Sequence, residues 1–279
     1  MFDQPSAATM QRSRGKAGVA FSRRGGAVRL DDLHQAGSGK AMLPRVAGDV
    51  PEVVFLNTSG GLTSGDRLEF SLNIGPGARV SATTQTAERA YSADSDASGV
   101  TVTATVGAGA RLDWLPQETI LYEHAHLTRR TTIDLVGDAT CLICESLVLG
   151  RHAMGENPKA ATLDDRRLIR RDGRPVWAEA LCLTPATLAR RASPALLGEA
   201  RAMAVVAFVA KGAEDALAPV RRLLTEPGVT AAASGWDGRL ILRLMARDGW
   251  PLRRQLARIL THLSGRALPR VWQMHGVLP

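Results

Sequence analysis

Ile74-Gly-Pro-Gly-Ala-Arg79, Val106-Gly-Ala-Gly-Ala-Arg111 and Val136-Gly-Asp-Ala-Thr140 are three versions of one turn. Aligned on Ala78, Ala110 and Ala139, they recur at spacings of 32 and 29 residues. A period-two run leads into each. Leu68, Phe70, Leu72 and Ile74 alternate with Arg67, Glu69, Ser71 and Asn73, and Val100, Val102, Ala104 and Val106 repeat the pattern. Leu127, Arg129, Thr131, Ile133 and Leu135 repeat it less cleanly. Alternation places one face of a strand on a core and the other in water. An apolar-rich run follows each turn, at 79–84, 111–115 and 140–148. The spacing therefore predicts a degenerate repeat of about 30 residues, two strands per unit, over roughly 67–150. A plain meander with coincident glycine turns is the alternative.

Outward from this stretch, Ala202–Ala210 is a nine-residue apolar run that reads as a core strand or helix, far short of the roughly 20 residues a bilayer demands. Helix signals come late. Asp215 precedes a short pattern of Leu217, Val220, Leu223 and Leu224. Asp248 opens a better helix, with Leu252, Leu256, Ile259, Leu260 and Leu263 on one face and Gly265 as its stop. Arg253, Arg254 and Arg258 lie off that stripe and read as a solvated face. Residues 151–175 are the most polar stretch, a long loop or a boundary. The fold class is thus mainly β, in stacked, helical-coil-like sheet layers, with about two short α-helices in the C-terminal third. One domain is expected over 1–279, with a repeat-bearing core at about 50–180 and a helix-containing part at about 181–279.

The chain has 279 residues and a formal charge of +8, with 45% hydrophobic, 22% charged and 4% aromatic residues. That composition excludes a disordered chain and, with three cysteines, a disulfide-stapled scaffold. So few aromatics argue against base-stacking platforms. The charge is unevenly spread: +5 over 1–45, −7 over 46–150 and +10 over 151–279. A basic nucleic-acid binder does not explain an acidic centre. Met1–Gly15 shows no secretory apolar region, and with the odd cysteine count this predicts a cytoplasmic protein.

Few residues point to catalysis. There is no nucleophile elbow and no phosphate-binding P-loop. Gly60-Gly61-Leu-Thr-Ser-Gly65-Asp66 links two strands, so it reads as a hairpin or bulge, or as a contact loop for another chain. Cys141 and Cys144, three apart on a strand, face opposite ways and cannot share an ion. His124 and His126, two apart on an extended segment, would share a face and suit a transient divalent metal; two exposed loop histidines are the plainer reading. Carboxylates at Asp66, Asp113, Glu118, Glu123 and Glu145 have no spacing that pairs them.

Three strings are distinctive: Asn57-Thr-Ser-Gly-Gly-Leu-Thr-Ser-Gly-Asp66, Gly77-Ala-Arg-Val-Ser-Ala-Thr-Thr-Gln-Thr-Ala-Glu88, and Trp114-Leu-Pro-Gln-Glu-Thr119. With Met42–Arg45, Glu145–Arg151 and Ala153–Glu156, the chain resembles the urease accessory protein family UreD, called UreH in some organisms. The resemblance runs from about 15 to about 180 and is loose in the last hundred residues; Ser64 stands where such loops often carry glycine. It implies a β-rich, nonenzymatic chaperone for nickel insertion that binds the urease apoprotein and works with UreF-like and UreG-like partners. No tightly bound cofactor is implied; nickel would be transient, and a polar tunnel has been proposed as its route in this family. On this reading Asn57, Thr58, Gly60, Gly61, Asp66, Gln117, Glu118 and Glu145 are candidates for a partner surface or an ion route, and His124 and His126 for transient nickel. No nucleic acid or membrane partner is expected. A β-solenoid hydrolase or lyase acting on an acidic polymer, needing paired carboxylates in a cleft, is the alternative.

Overall fold

The computed structural model describes residues 12–46, 48–94 and 96–273. The opening stretch read above for a leader therefore lies mostly outside the described residues. A long hairpin of β1 (Arg14–Arg24) and β2 (Ala27–Gly37) leads to β3 (Gly39–Met42) and β4 (Glu52–Asn57). Three coils follow: β5 (Arg67–Ile74) with β6 (Arg79–Thr84), β8 (Ser98–Val106) with β9 (Arg111–Trp114), and β11 (His126–Leu135) with β12 (Thr140–Leu149). Short strands β7 (Glu88–Ala90) and β10 (Thr119–Leu121) lie between them. Beyond come β13 (Thr162–Arg171), β14 (Arg174–Leu183), β15 (Ala202–Val209), β16 (Val229–Trp236) and β17 (Arg239–Ala246).

Each coil places its first strand in one sheet and its second in another. The first sheet runs β14-β13-β11-β8-β5-β1-β2, the second β16-β17-β15-β12-β9-β6-β4-β3, with β10 and β7 paired beside β12. Coil strands stack parallel, Ile74 on Val106 on Leu135 in one sheet and Arg79 on Arg111 on Thr140 in the other. The repeat is real, and the alignment on Ala78, Ala110 and Ala139 matches the register of all three turns. Leu135, 29 residues on, is the partner of Val106, so each turn holds four residues. Its left-handed residue moves from the third position (Gly77, Gly109) to the second (Gly137).

The second sheet is covered on both sides. Its inner face meets the first sheet through Val53, Phe55, Val80, Leu112, Cys141 and Ile143. Its outer face carries Leu142, Cys144, Val206 and Leu242 under a helical layer. Cys141 and Cys144 thus sit in different cores, as strand geometry requires, and burial raises the Cys141 thiol to about 12. Burial on both faces explains why Ala202–Val209 is continuously apolar.

The helical layer consists of α2 (Leu217–Leu223) and α3 (Gly249–Ser264), with a one-turn α1 (Pro185–Ala189) capped by Thr184 elsewhere in the chain. Asp248 caps α3 through the Trp250 amide, and Gly265 ends it in the left-handed conformation. Its last carbonyls are held by the repeat itself: Arg79 donates to Ser264 O and Arg111 to Leu263 O at 2.9 Å. The polar stretch 151–175 is neither mainly loop nor a break, since β13 and the start of β14 continue the first sheet. Its alternation is masked because Asp165 and Arg167 occupy inward positions between Leu163 and Ile169.

Candidate functional site

The space between the sheets is apolar except along one seam. Arg129 and Thr131 from β11, Glu145 from β12, and Asp165 and Arg167 from β13 all point inward there and are buried. Arg129 pairs with Asp165 at 2.5 Å and with Glu145 at 3.4 Å, and donates to Thr119 Oγ1 at 3.0 Å. Arg167 donates to Glu145 at 2.7 Å and also to Asp165. Thr131 donates to the other Glu145 oxygen at 2.7 Å. Burial by itself would raise the Glu145 carboxyl, but Arg129 and Arg167 outweigh it and hold the group below its ordinary range. The same carboxylates hold Arg129 firmly protonated. Glu179, paired with Arg243 at 2.5 Å, continues the seam toward the surface.

Three cavities follow this polar line. One of about 40 Å³ lies under the glycine loop, lined by Asn57, Gly60, Phe70, Thr84 and Glu88. A second of about 40 Å³ shares Phe70, Thr84 and Glu88 with it and reaches Thr119, Arg129 and Glu145. A third of about 260 Å³ shares Glu145 and extends to Arg167, Glu179 and Arg243. Glu88, at the first junction, receives a side-chain hydrogen bond only from the neutral Asn57 amide, at 3.1 Å. Burial accordingly raises its carboxyl to about 7.

The glycine loop is a device for presenting Asn57. The Asn57 amide also donates to Gly61 O at 3.2 Å, and its oxygen accepts from the Ser59 amide and hydroxyl at 3.1 and 2.6 Å. Gly61, at φ 152°, passes so close to Tyr91 and Arg89 that an added Cβ would lie 2.4 Å from the tyrosine ring. Gly60 is exposed at φ 80°. Thr58 is exposed and donates to Ser38 O at 3.1 Å. Asp66 does not face the cavities; it staples the loop, accepting from the Ser13 amide at 2.7 Å and the Thr63 amide at 2.9 Å.

Gln117 and Glu118 lie where the second cavity approaches α3. Both accept from Arg253, at 2.6 and 3.3 Å. The solvated reading of Arg253 is therefore wrong. It is only 7% exposed, stacks 4.7 Å from the Trp272 ring, and donates to Trp272 O at 2.8 Å. Arg254 and Arg258 do face outward, and both pair with Glu226, at 3.3 and 3.0 Å.

The histidine pair is not on an extended segment. His124 occupies a turn at φ 59°, and His126 begins β11. Both are exposed, and among the described residues no three His, Cys, Asp or Glu side chains gather into a metal site. Glu123, beside them, is committed to the amides of Lys159 and Ala160 at 2.8 and 2.7 Å.

The structure thus joins Asn57, Gln117 and Glu145 to one interior line and leaves Thr58, Asp66, His124 and His126 outside it. Glu88, Arg129, Asp165, Arg167 and Glu179 went unrecognised in the sequence, although charged residues at inward positions of an alternating run were a visible signal for three of them. The two carboxylates that do converge, Glu145 and Asp165, are 2% and 0% exposed and held by arginine, which is unsuited to acid–base attack on a polymer.

The model of the UreD urease accessory protein family matches residues 13–273. A urease accessory protein UreD of Cereibacter sphaeroides is 59% identical over 95% of this chain and 96% of its own. The Paracoccus denitrificans protein of that name is 53% identical over 98% and 97%. One from Rhizobium leguminosarum is 41% identical over 95% and 96%.

Proposed function

The chain belongs to the UreD family of urease accessory proteins, and on that premise we propose that it is a nonenzymatic cytoplasmic scaffold for urease maturation. In this reading it binds the urease apoprotein and, with UreF-like and UreG-like partners, helps insert nickel, which is its cargo and not a resident cofactor. The observation that supports the reading most is the carboxylate-lined run of cavities from the glycine loop to Glu179.

A carrier must release its ion, so it needs weak, successive oxygen ligands in place of a closed cage. Glu88 and Glu145, with the hydroxyls of Thr84 and Thr119, supply such oxygens in sequence. The cost of a bare cation between two apolar sheets is large, and fixed carboxylates lower it. Arg129 and Arg167 already neutralise Glu145, so an arriving cation would compete with guanidinium and could not lodge deeply. Among the described residues no helix is long and apolar enough to span a membrane.

The test is urease activation in cells lacking this gene and supplied with variants. Glu145→Leu combined with Arg167→Met removes one charge of each sign and leaves Arg129–Asp165 and Arg243–Glu179 balanced. Urease co-purified with this variant should contain little nickel while the accessory complex still assembles. Full nickel loading would remove the interior route, and full activity in the deletion strain at low nickel would remove the maturation role itself.

A further inference from the structure

Four strands end the main paths of the two sheets: β2 and β14 in the first, β16 and β3 in the second. An open edge presents unpaired backbone N–H and C=O groups, and three of these four edges are blunted. β2 carries Arg29, Asp31 and Asp32 beside a bulge in its pairing with β1. β14 opens on Arg174 and Pro175, and β3 has only four residues, one of them Lys40. β16, Val229-Thr-Ala-Ala-Ala-Ser-Gly-Trp236, has no charge, no proline and no bulge in its pairing with β17. Its hairpin turns through Asp237 and Gly238, both at positive φ, which makes Trp236 and Arg239 a hydrogen-bonded pair. The backbone groups of Val229, Ala231, Ala233 and Gly235 therefore point away from β17. Two contacts agree: Ala233 O accepts from Arg221 at 2.8 Å, and the Val229 amide donates to Glu226 O at 3.3 Å. Among the described residues no strand lies on this edge. α2 covers only the face that carries Ala231 and Ala233, while Thr230, Ala232, Ser234 and Trp236 are exposed on the other.

We infer that β16 pairs antiparallel with β16 of a second copy across a two-fold axis at Ala232, joining the second sheets of two molecules. The strand is self-complementary in that register. Val229 and Ala231 of one copy fall opposite Gly235 and Ala233 of the other, and their outward backbone groups exchange the ladder hydrogen bonds. Thr230 meets Ser234 of the second copy, hydroxyl beside hydroxyl, at the closer non-hydrogen-bonded spacing, and Ala232 meets its own symmetry mate. Trp236 falls opposite Gly228, where even an added Cβ would have no atom within 4 Å, so the ring has room. Val229 and Trp236 thus each face a glycine, and no like charges oppose one another along the strand. The ends add charge complementarity. Asp237, its side chain 81% exposed and 3.9 Å from Arg239, comes opposite Pro227 of the second copy. Beside that proline, Arg254 and Arg258 share the single Glu226 carboxylate and leave a surplus positive charge. The two-fold axis supplies this match twice. A foreign strand could use the backbone edge, but the match of sizes and charges singles out a second copy. Arg221 opposes the pairing, since its bond to Ala233 O must share that carbonyl's two lone pairs or give way. A single strand pair buries little beside a standard interface, so the dimer is weak and concentration-dependent.

The experiment is sedimentation of the full chain, which should show a monomer–dimer equilibrium at micromolar concentrations. Ala231→Pro deletes an outward N–H but no bond to β17, so it should weaken the dimer about tenfold or more with an unchanged melting temperature. Arg221→Met frees the Ala233 carbonyl and should tighten the dimer. A Cys182→Ser background removes the exposed cysteine and leaves the buried Cys141 and Cys144. On that background Ala232→Cys should give a disulfide-linked dimer under copper–phenanthroline oxidation, because the two thiols face each other across the axis. Thr230→Cys, two residues along the same face, should not. A monomer at every concentration, a dimer indifferent to Ala231→Pro or loosened by Arg221→Met, or equal cross-linking at positions 230 and 232 would overturn the inference. So would Ala232→Cys linking to another urease-operon protein in place of a second copy when all are co-expressed. Because these readouts require neither nickel nor urease activity, their failure leaves the maturation role separately testable.

Discussion

Glu145 and Asp113 stand on neighbouring strands of one sheet, point to its opposite faces, and answer burial in opposite directions. Both are withdrawn from water, which by itself raises a carboxyl. Glu145 has both oxygens engaged, by Arg129, Arg167 and Thr131, and is held low. Asp113 has one close donor, Arg111 at 2.8 Å, with Arg79 3.7 Å away, and burial wins. Glu88, with neutral donors from Asn57 and the Arg89 backbone and no guanidinium paired to it, goes the same way as Asp113, because burial outweighs them. The number and charge of donors, not depth, decides whether a buried acid is a fixed charge or a titrating one.

The largest expected effect breaks the better-compensated site. Glu145→Gln leaves two buried guanidiniums sharing one carboxylate and should cost about 3–5 kcal/mol in urea unfolding, whereas the Glu145→Leu/Arg167→Met pair should come within about 1 kcal/mol of the parent. An equal loss in both would mean that the seam is not an electrostatic unit. Next, Gly61→Val forces a β-branched residue to positive φ against Tyr91 and disturbs the loop holding Asn57 over Glu88. Strain alone costs about 1–3 kcal/mol, and a lower melting temperature or lost solubility should report it.

The pH dependence sharpens the contrast between the acids. The Glu88 carboxyl is raised from 4.5 to about 7, so the folded state holds a proton that the unfolded chain has released. Its contribution is fully favourable below the unfolded value and is lost as pH rises through the folded one. Glu88→Gln should therefore flatten the fall in stability between about pH 5 and 7; an unchanged slope would place that titration elsewhere. Glu145 has the reverse sign: its stabilisation is present above the unfolded value and lost on acidification through the lowered one. The smallest effect belongs to Asp113→Asn. It removes a charge that burial already disfavours and keeps an acceptor for Arg111, so a change within about 1 kcal/mol is expected by thermal melting.

The coils were legible because Leu68–Ile74 and Val100–Val106 each bury one face only, and α3 because Asp248 and Gly265 are chemically explicit ends. The seam was not, because it violates the alternation that reveals strands. Arg129 merely made β11 look untidy, and Asp165 with Arg167 made β13 look like loop. Arg253 was misread for a related reason. Helical periodicity records the stripe facing the sheet, but Trp272 and Gln117 approach α3 from the side, and no local pattern foretells a contact made across 136 residues. His124 failed through a turn: two-apart residues share a face only while the backbone stays extended, and φ 59° ends that. Glu88 had no local signal, since its character comes from burial in the fold, opposed only in part by Asn57, 31 residues earlier.

The grip of Arg79 and Arg111 on the end of α3 has a consequence for synthesis. The donors precede their acceptor carbonyls by 185 and 152 residues. A ribosome would release the coils long before the helix that covers them. Through that interval the outer face of the last coil strand, with Leu142 and Cys144, stays open to solvent and to other nascent chains. Closure waits on the codons for Gly249–Ser264, so a message cut short before them would leave the β stack uncapped.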